Sequence, residues 1–180
     1  MKKNMIHIKK MEIEQYDYVN DENEDKIVEK YAKSIGQLLI HFNNLDHELN
    51  QAISHIFCDD AIHQGYSVTK DLMFRNKVEL FNDLYTQLIA STDKMKKMIK
   101  LNFLYNELLN LNTFRNSVIH ANWLTLDEDC YVRTKVIVDK DDGWIKGKMI
   151  KITPRMIVVK SRRIDTIIEK ISEFTENVCN

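Results

Sequence analysis

The sequence predicts a mainly α-helical fold, and two of its features support that prediction. Apolar residues recur at steps of three and four over long stretches, as they do when one face of a helix is buried. The 180 residues include only four glycines and one proline, too few for the many tight turns of an all-β protein. Hydrophobic residues make up 44% and charged residues 29%, ordinary values for a folded chain. A chain of this length predicts one domain with a sizeable core.

Composition also limits the class of protein. The three cysteines, Cys58, Cys130 and Cys179, lie far apart and form no Cys-x-x-Cys pair, which argues against a zinc knuckle and a disulfide framework. No apolar run is long enough for a signal peptide or a bilayer span. We therefore expect a cytoplasmic protein that uses no metal or other cofactor and does not associate with a membrane.

The first elements follow from the apolar spacing. Residues 1–23 alternate weakly and then turn acidic, which indicates an N-terminal arm that is either an edge strand or loosely ordered. Residues 24–180 are predicted to form a single domain. Its first and longest helix is indicated by an apolar stripe from Ile27 to Ile56. Residues 58–65 lose this spacing and include Gly65, so they are predicted to form a loop.

Two further helices are predicted next. The stripe of the second helix is Leu72, Val78, Phe81, Leu84, Tyr85 and Leu88. Residues 91–93, Ser-Thr-Asp, offer side chains that can cap the start of the third, which should run to about His120. The predicted buried face of that third helix consists of Met95, Met98, Leu101, Leu104, Tyr105, Leu108 and Leu111.

The pattern then changes to a period of two. Residues 131–138 alternate and are rich in β-branched side chains, residues 139–143 have turn composition, and residues 144–153 can return as a second strand. A β-hairpin is thus predicted at about 130–153, before the C-terminal helix. That helix begins either at Pro154, with Thr153 as its cap, or at Ser161.

The segment that carries chemistry is Arg115-Asn116-Ser117-Val118-Ile119-His120, at the end of the third helix. Arg115 continues the apolar stripe of that helix, where an arginine needs a partner, an interface or a site. Arg115 and His120 are five residues apart, about 140° around the helix axis, so one helix does not easily direct both at the same atom. A second copy of the helix around a twofold axis would supply the missing group, which points to a site composed between two subunits. Asn116 shares a face with His120 and is the candidate to orient its imidazole.

This segment resembles the Arg-x(4–6)-His motif of HEPN (higher eukaryotes and prokaryotes nucleotide-binding) domains, including the polar residue that often follows the arginine. The order of elements over residues 25–180 is also similar, with long helices first and the motif near the end of a later one. The resemblance implies an up-and-down helical bundle. The hairpin would then be an insertion, and its role is not carried over by the resemblance.

HEPN ribonucleases cut RNA without a metal, with the arginine and histidine of two protomers facing each other. The resemblance therefore implies a homodimeric endoribonuclease, acting as a toxin or a phage-defence effector, with RNA as substrate and an antitoxin or regulatory protein as a further partner. His120 would transfer protons, Arg115 would bind the phosphate, and Asn116 would support His120. The product implied is a 2′,3′-cyclic phosphate with a 5′-hydroxyl.

Three alternatives stay open. Arg115 and His120 are also favourable at a helix C-terminus for reasons unrelated to catalysis. Some HEPN relatives are non-catalytic and bind a nucleotide or a partner protein. Finally, residues 131–163 contain ten basic and three acidic residues, which is typical either of a solvated surface or of an RNA-backbone contact. The candidate RNA-binding residues there are Lys146, Lys148, Lys151 and Arg155.

Overall fold

The computed structural model describes residues 9–11, 24–57, 62–89, 93–120, 122–127, 130–138 and 145–179, and most of these are helical. The predicted mainly α class is confirmed. No helix in these ranges combines the length and the apolar character needed to cross a bilayer. The helices are α1 (Glu24–Phe57), α2 (Ile62–Thr69), α3 (Phe74–Leu88), α4 (Lys94–Ile119) and α5 (Pro154–Cys179). The strands are β1 (Lys9–Met11), β2 (Asn122–Asp127), β3 (Cys130–Val138) and β4 (Ile145–Lys151).

The chain divides into two compact units. One comprises Met1–Gln37 with Asn116–Val159, and the other comprises Leu38–Arg115 with Lys160–Asn180. Helices α1, α4 and α5 each contribute residues to both units. The single domain expected over residues 24–180 stays a prediction.

The first unit contains an antiparallel sheet with the strand order β1-β4-β3-β2. Strand β3 pairs with β4 in a register that places Val138 opposite Ile145. The predicted turn at 139–143 lies outside the described residues. Strand β1, within the N-terminal arm, pairs with the outer side of β4. Strand β2 follows the motif directly and was not predicted, because its residues show no clear alternation of apolar and polar side chains.

Helix α5 begins at the first of its two predicted start positions. Thr153 precedes the helix, and its Oγ1 accepts a hydrogen bond of 3.3 Å from the backbone N–H of Met156. Pro154 occupies the first helical position, where its missing N–H costs no hydrogen bond. In the same unit, the Tyr31 hydroxyl donates a 2.8 Å hydrogen bond to the backbone carbonyl of Ile152, which attaches α1 to the segment between β4 and α5.

The core of the second unit is built from the predicted apolar stripes. Phe81, Tyr85 and Phe174 form an aromatic cluster with ring centroids 4.6 to 6.3 Å apart. The Tyr85 hydroxyl donates to the backbone carbonyl of Ala52 at 3.0 Å, and burial raises the pKa of Tyr85 above its usual value. Other fully buried side chains are Leu45, Leu49, Ile53, Val78, Leu101, Leu108, Ile164, Ile167 and Ile171.

Two predicted core positions are wrong. Leu88 is 45% exposed and Met95 is 78% exposed, although both continue an apolar stripe. Leu88 is the last residue of α3 and Met95 lies in the first turn of α4. The stripe therefore predicts burial well inside a helix and less well at its ends.

The predicted loop at 58–65 is wrong in its second half, because α2 begins at Ile62. Gly65 had been interpreted as a loop residue. In the structure it lies within α2, where a Cβ would overlap both Ser54 Cβ and the Ser54 backbone of α1. Glycine here permits close approach of two helices, so it does not mark a turn.

A buried ion pair joins α1 to α3. The ammonium group of Lys77, with only 6% of its side chain exposed, donates to both carboxylate oxygens of Asp46 at 2.9 and 2.8 Å. A buried lysine is tolerated only with such a partner.

Glu48, also on α1, gives a test of the pH dependence of stability. Burial raises the pKa of its carboxyl, and the neighbouring His47 lowers it by less. A carboxyl whose pKa is raised by folding contributes most stability at low pH, and this contribution is lost as the pH rises through the folded-state pKa.

We therefore expect Glu48→Gln to raise the free energy of unfolding at pH 7 by a few tenths of a kcal/mol, about 0.5 at most because the site is partly solvated, and to change it little near pH 4. Urea unfolding at both pH values measures this difference. Glu29→Gln, an exposed substitution on the same helix, is the control. A larger gain at pH 4 than at pH 7 would contradict the assignment.

Candidate functional site

The predicted site lies at the C-terminal end of α4, which ends at Ile119. Arg115 and Asn116 are in its last two turns, and His120 is the next residue after the helix. Arg115 is half-buried, Asn116 is half-buried and His120 is exposed. The division between the two compact units falls between Arg115 and Asn116.

Arg115 continues the buried stripe of α4, as predicted from the spacing. Leu104, Leu108 and Leu111 precede it on that stripe and are buried. The guanidinium carbon of Arg115 lies 5.2 Å from the centroid of the Phe42 ring, and Phe42 is itself buried on α1. Such a contact holds a cation over the electron-rich face of the ring, with an energy of about 0.5 to 2 kcal/mol that grows as water is excluded. The Phe42 ring thus helps to fix the position of the guanidinium on α4.

His120 and Asn116 are joined through the backbone. The N–H of His120 donates a 3.0 Å hydrogen bond to the carbonyl of Asn116, which extends the helical hydrogen bonding by one residue. This bond fixes the backbone of His120 at the end of α4 while its imidazole is exposed to solvent. An exposed imidazole on a fixed backbone can exchange protons with a bound molecule.

Three of the four candidate RNA-binding residues share a strand. Lys146, Lys148 and Lys151 lie on β4, opposite Ile137, Lys135 and Val132 of β3 respectively. Arg155 is exposed in the first turn of α5. All four belong to the same unit as Asn116 and His120.

Two histidines outside the motif, His41 and His47, have hydrogen-bond partners of their own. His41 Nδ1 lies 2.5 Å from a carboxylate oxygen of Asp165, and His47 Nδ1 lies 2.6 Å from the hydroxyl of Tyr66. Among the side chains that the structure describes, no three His, Cys, Asp or Glu residues are grouped as metal ligands would be.

Several contacts were missed by the sequence prediction. One is the contact of Arg115 with the Phe42 ring. The others place cations of α5 against phenylalanines of α4. Lys160 Nζ is 5.8 Å from the centroid of the Phe114 ring, and Arg163 Cζ is 5.7 Å from that of the Phe103 ring. The available signal was the 11-residue spacing of the two phenylalanines, which returns to the same helix face after three turns. Nothing in the spacing reveals which cations of a distant helix lie against them.

No protein-family model, curated protein or solved structure matches the chain. The function is therefore argued from the motif and its surroundings alone.

Proposed function

We propose that this chain is a metal-independent endoribonuclease of HEPN type that acts as a homodimer, with Arg115 and His120 as its catalytic pair. The observation that carries the proposal is the end of α4. There a guanidinium is held over the buried Phe42 ring, and the exposed imidazole of His120 follows the last residue of the helix. A fixed cation and an exposed proton-transfer group are the two components that cleavage of an RNA phosphodiester requires.

In the proposed reaction, the 2′-oxygen of the ribose attacks the adjacent phosphorus while the bond from phosphorus to the 5′-oxygen breaks. His120 either accepts the proton of the 2′-hydroxyl while water protonates the leaving 5′-oxygen, or protonates the 5′-oxygen while water takes up the proton of the 2′-hydroxyl. Arg115 binds the non-bridging oxygens and stabilises the charge that develops on them. The products are a 2′,3′-cyclic phosphate and a 5′-hydroxyl. Asn116 supports the histidine.

The geometry of one helix supports the proposed homodimer. Positions five apart on an α-helix differ by about 140° around the axis, so Arg115 of one protomer is paired in this proposal with His120 of the other. The strands β3 and β4 form an insertion into a HEPN-like bundle over residues 24–180. Lys146, Lys148, Lys151 and Arg155 contact the RNA backbone. An antitoxin or regulatory protein restrains the enzyme, which acts in the cytoplasm as a toxin or in phage defence.

The purified protein should cleave single-stranded RNA in the presence of excess EDTA and leave cyclic phosphate ends. Mass spectrometry of the fragments distinguishes a 2′,3′-cyclic phosphate from the 3′-hydroxyl that a metal-dependent nuclease leaves. Absence of cleavage at any protein concentration at which the dimer forms would contradict the proposal.

A second function is favoured by one observation: His120 directly follows the last residue of α4, where positive charge stabilises a helix without any catalysis. The alternative is a non-catalytic HEPN domain that binds a nucleotide or a partner protein. It predicts no cleavage, and nucleotide binding by calorimetry that Arg115→Ala weakens.

A further inference from the structure

Within the second unit, α4 and α5 present a row of phenylalanines flanked by cations. Phe103 has two cations at its ring, Arg163 Cζ at 5.7 Å and Lys170 Nζ at 5.9 Å from the centroid. Phe114 has Lys160 Nζ at 5.8 Å. We call these five residues the aromatic–basic row.

The two rings share one face of α4. Eleven residues separate Phe103 from Phe114, so they are about 20° apart around the axis and about 16 Å apart along it. At the 3.4 Å spacing of stacked nucleotides, this length accommodates about four to five of them. Single-stranded nucleic-acid sites on proteins span about 4 to 16 nucleotides. The row is therefore long enough for a short single strand.

Charge on this face favours a polyanion. A hollow of about 150 Å³ opens beside the Phe103 ring and adds Lys100 to the cations. Glu173 also lines the hollow, and Glu107 is paired with Arg163 at 2.8 Å. Two lysines thus accompany one carboxylate at the hollow, and Glu107 holds Arg163 beside the Phe103 ring. The other lining residues of the hollow are Phe103, Leu104, Lys170 and Phe174.

Phe103 is 40% exposed, and Ile99 and Met95, four and eight residues before it on the same helix, are exposed apolar residues as well. Exposed cation–π contacts contribute only about 0.5 to 1 kcal/mol. A base stacked on an aromatic ring contributes about 1 to 3 kcal/mol by alanine substitution. A base can therefore displace the exposed Lys170 from the ring, and the released ammonium is then available for a phosphate.

We propose that the aromatic–basic row is a stacking track for single-stranded RNA, with bases on Phe103 and Phe114 and phosphates on Lys160, Arg163 and Lys170. The identification of the polyanion as RNA rests on the proposed ribonuclease function. The row ends at Phe114, the residue before Arg115, so a strand bound there approaches the turn of α4 that carries the candidate phosphate-binding residue. None of its residues belongs to β4.

The test is binding of a fluorescently labelled oligouridine of about 12 nucleotides, a length within the range of known single-strand sites, measured by anisotropy. All proteins carry His120→Ala, so that the probe is not cut. Phe103→Ala is expected to weaken binding about fivefold or more, and Phe103→Trp to retain it, because tryptophan keeps an aromatic face. Phe57→Ala is the matched control, since Phe57 is 44% exposed at the end of α1 and lies outside the row.

Salt dependence separates the cations of the row from other lysines. Each phosphate contact on a single strand contributes about 0.7 to the slope of log affinity against log salt concentration. Lys170→Gln should reduce that slope by about this amount. Lys70→Gln should leave it unchanged, because Lys70 is exposed on another surface beside Asp71.

Equal RNA binding by the Phe103→Ala and Phe57→Ala proteins would overturn the track. The track would also be overturned if Phe103→Ala lost binding to anionic lipid vesicles while its RNA binding was unchanged. Failure of the track is distinguishable from failure of the enzyme. If the protein carrying native His120 binds RNA through Phe103 but does not cleave it, the track stands and the nuclease proposal fails. If cleavage persists and is equal in Phe103→Ala and Phe57→Ala, the nuclease stands and the track fails.

Discussion

His120→Ala is expected to reduce the rate of RNA cleavage in EDTA by about 10²- to 10⁴-fold, the usual contribution of a positioned acid or base to a proton-transfer step. The exposed imidazole takes no part in the core, so the free energy of unfolding should change by less than about 0.5 kcal/mol. Initial rates on a fluorogenic RNA, together with urea unfolding of the same preparations, measure both quantities.

His55→Ala is the matched control for this experiment. His55 is also an exposed histidine near the end of a long helix, and it lies outside the motif. Its replacement should leave the cleavage rate within about twofold of the wild type, as expected for a surface substitution away from the site. Undiminished cleavage by His120→Ala would remove His120 from the mechanism, and an equal loss in both variants would point to a general effect on the protein.

The sequence predicted the interior of the helices because burial there repeats every three to four residues. The stripe from Leu101 to Leu111 is buried as expected, and the helix end at about His120 agrees with the last helical residue, Ile119. Leu88 and Met95 show where the rule weakens, since both lie in the terminal turn of a helix and both are exposed. The spacing describes one helix at a time and does not include what packs against its ends.

Contacts between distant segments were beyond the sequence for a different reason. Lys77 and Asp46 are 31 residues apart, and no local pattern distinguishes either of them from an ordinary charged residue on a helix surface. Their pairing arises only because α1 packs against α3. The same holds for Gly65, whose lack of a side chain is explained only by Ser54 of another helix. In both cases the residue type is explained by a contact with a distant segment, and no local sequence pattern reveals that contact.

The candidate site contains one feature that the helical period predicts and one contact between distant segments that it does not. The spacing placed Arg115 on the apolar stripe of α4, and the side chain is half-buried there, because the helical period decides which face it occupies. That Phe42 provides the ring beneath the guanidinium could not be predicted, since any of the apolar residues of α1 satisfied the same pattern. The roles of Arg115, Asn116 and His120 in a reaction stay predictions.

Arg115→Ala is expected to lower the cleavage rate by about 10²- to 10³-fold, as removal of one fixed donor to a developing oxyanion does in other enzymes. The loss should be in the rate at saturating RNA, since the proposed contact strengthens as charge develops on the phosphate. Its control is Arg75→Ala, which removes an exposed arginine paired with Glu79 on α3. A change confined to the Michaelis constant would indicate that Arg115 binds RNA without stabilising the transition state.

Mixing the two inactive variants tests whether the site is shared between subunits. If Arg115 of one protomer works with His120 of the other, a heterodimer of Arg115→Ala and His120→Ala contains one site with both native residues and one site with neither. Random exchange makes half of the dimers mixed, so about a quarter of the wild-type sites and activity should return. If both residues acted within one protomer, every site in the mixed dimer would lack one of them and no activity would return. Recovery near a quarter, at protein concentrations that permit subunit exchange, therefore distinguishes the composite site from a site within a single chain, which the 140° separation on α4 disfavours.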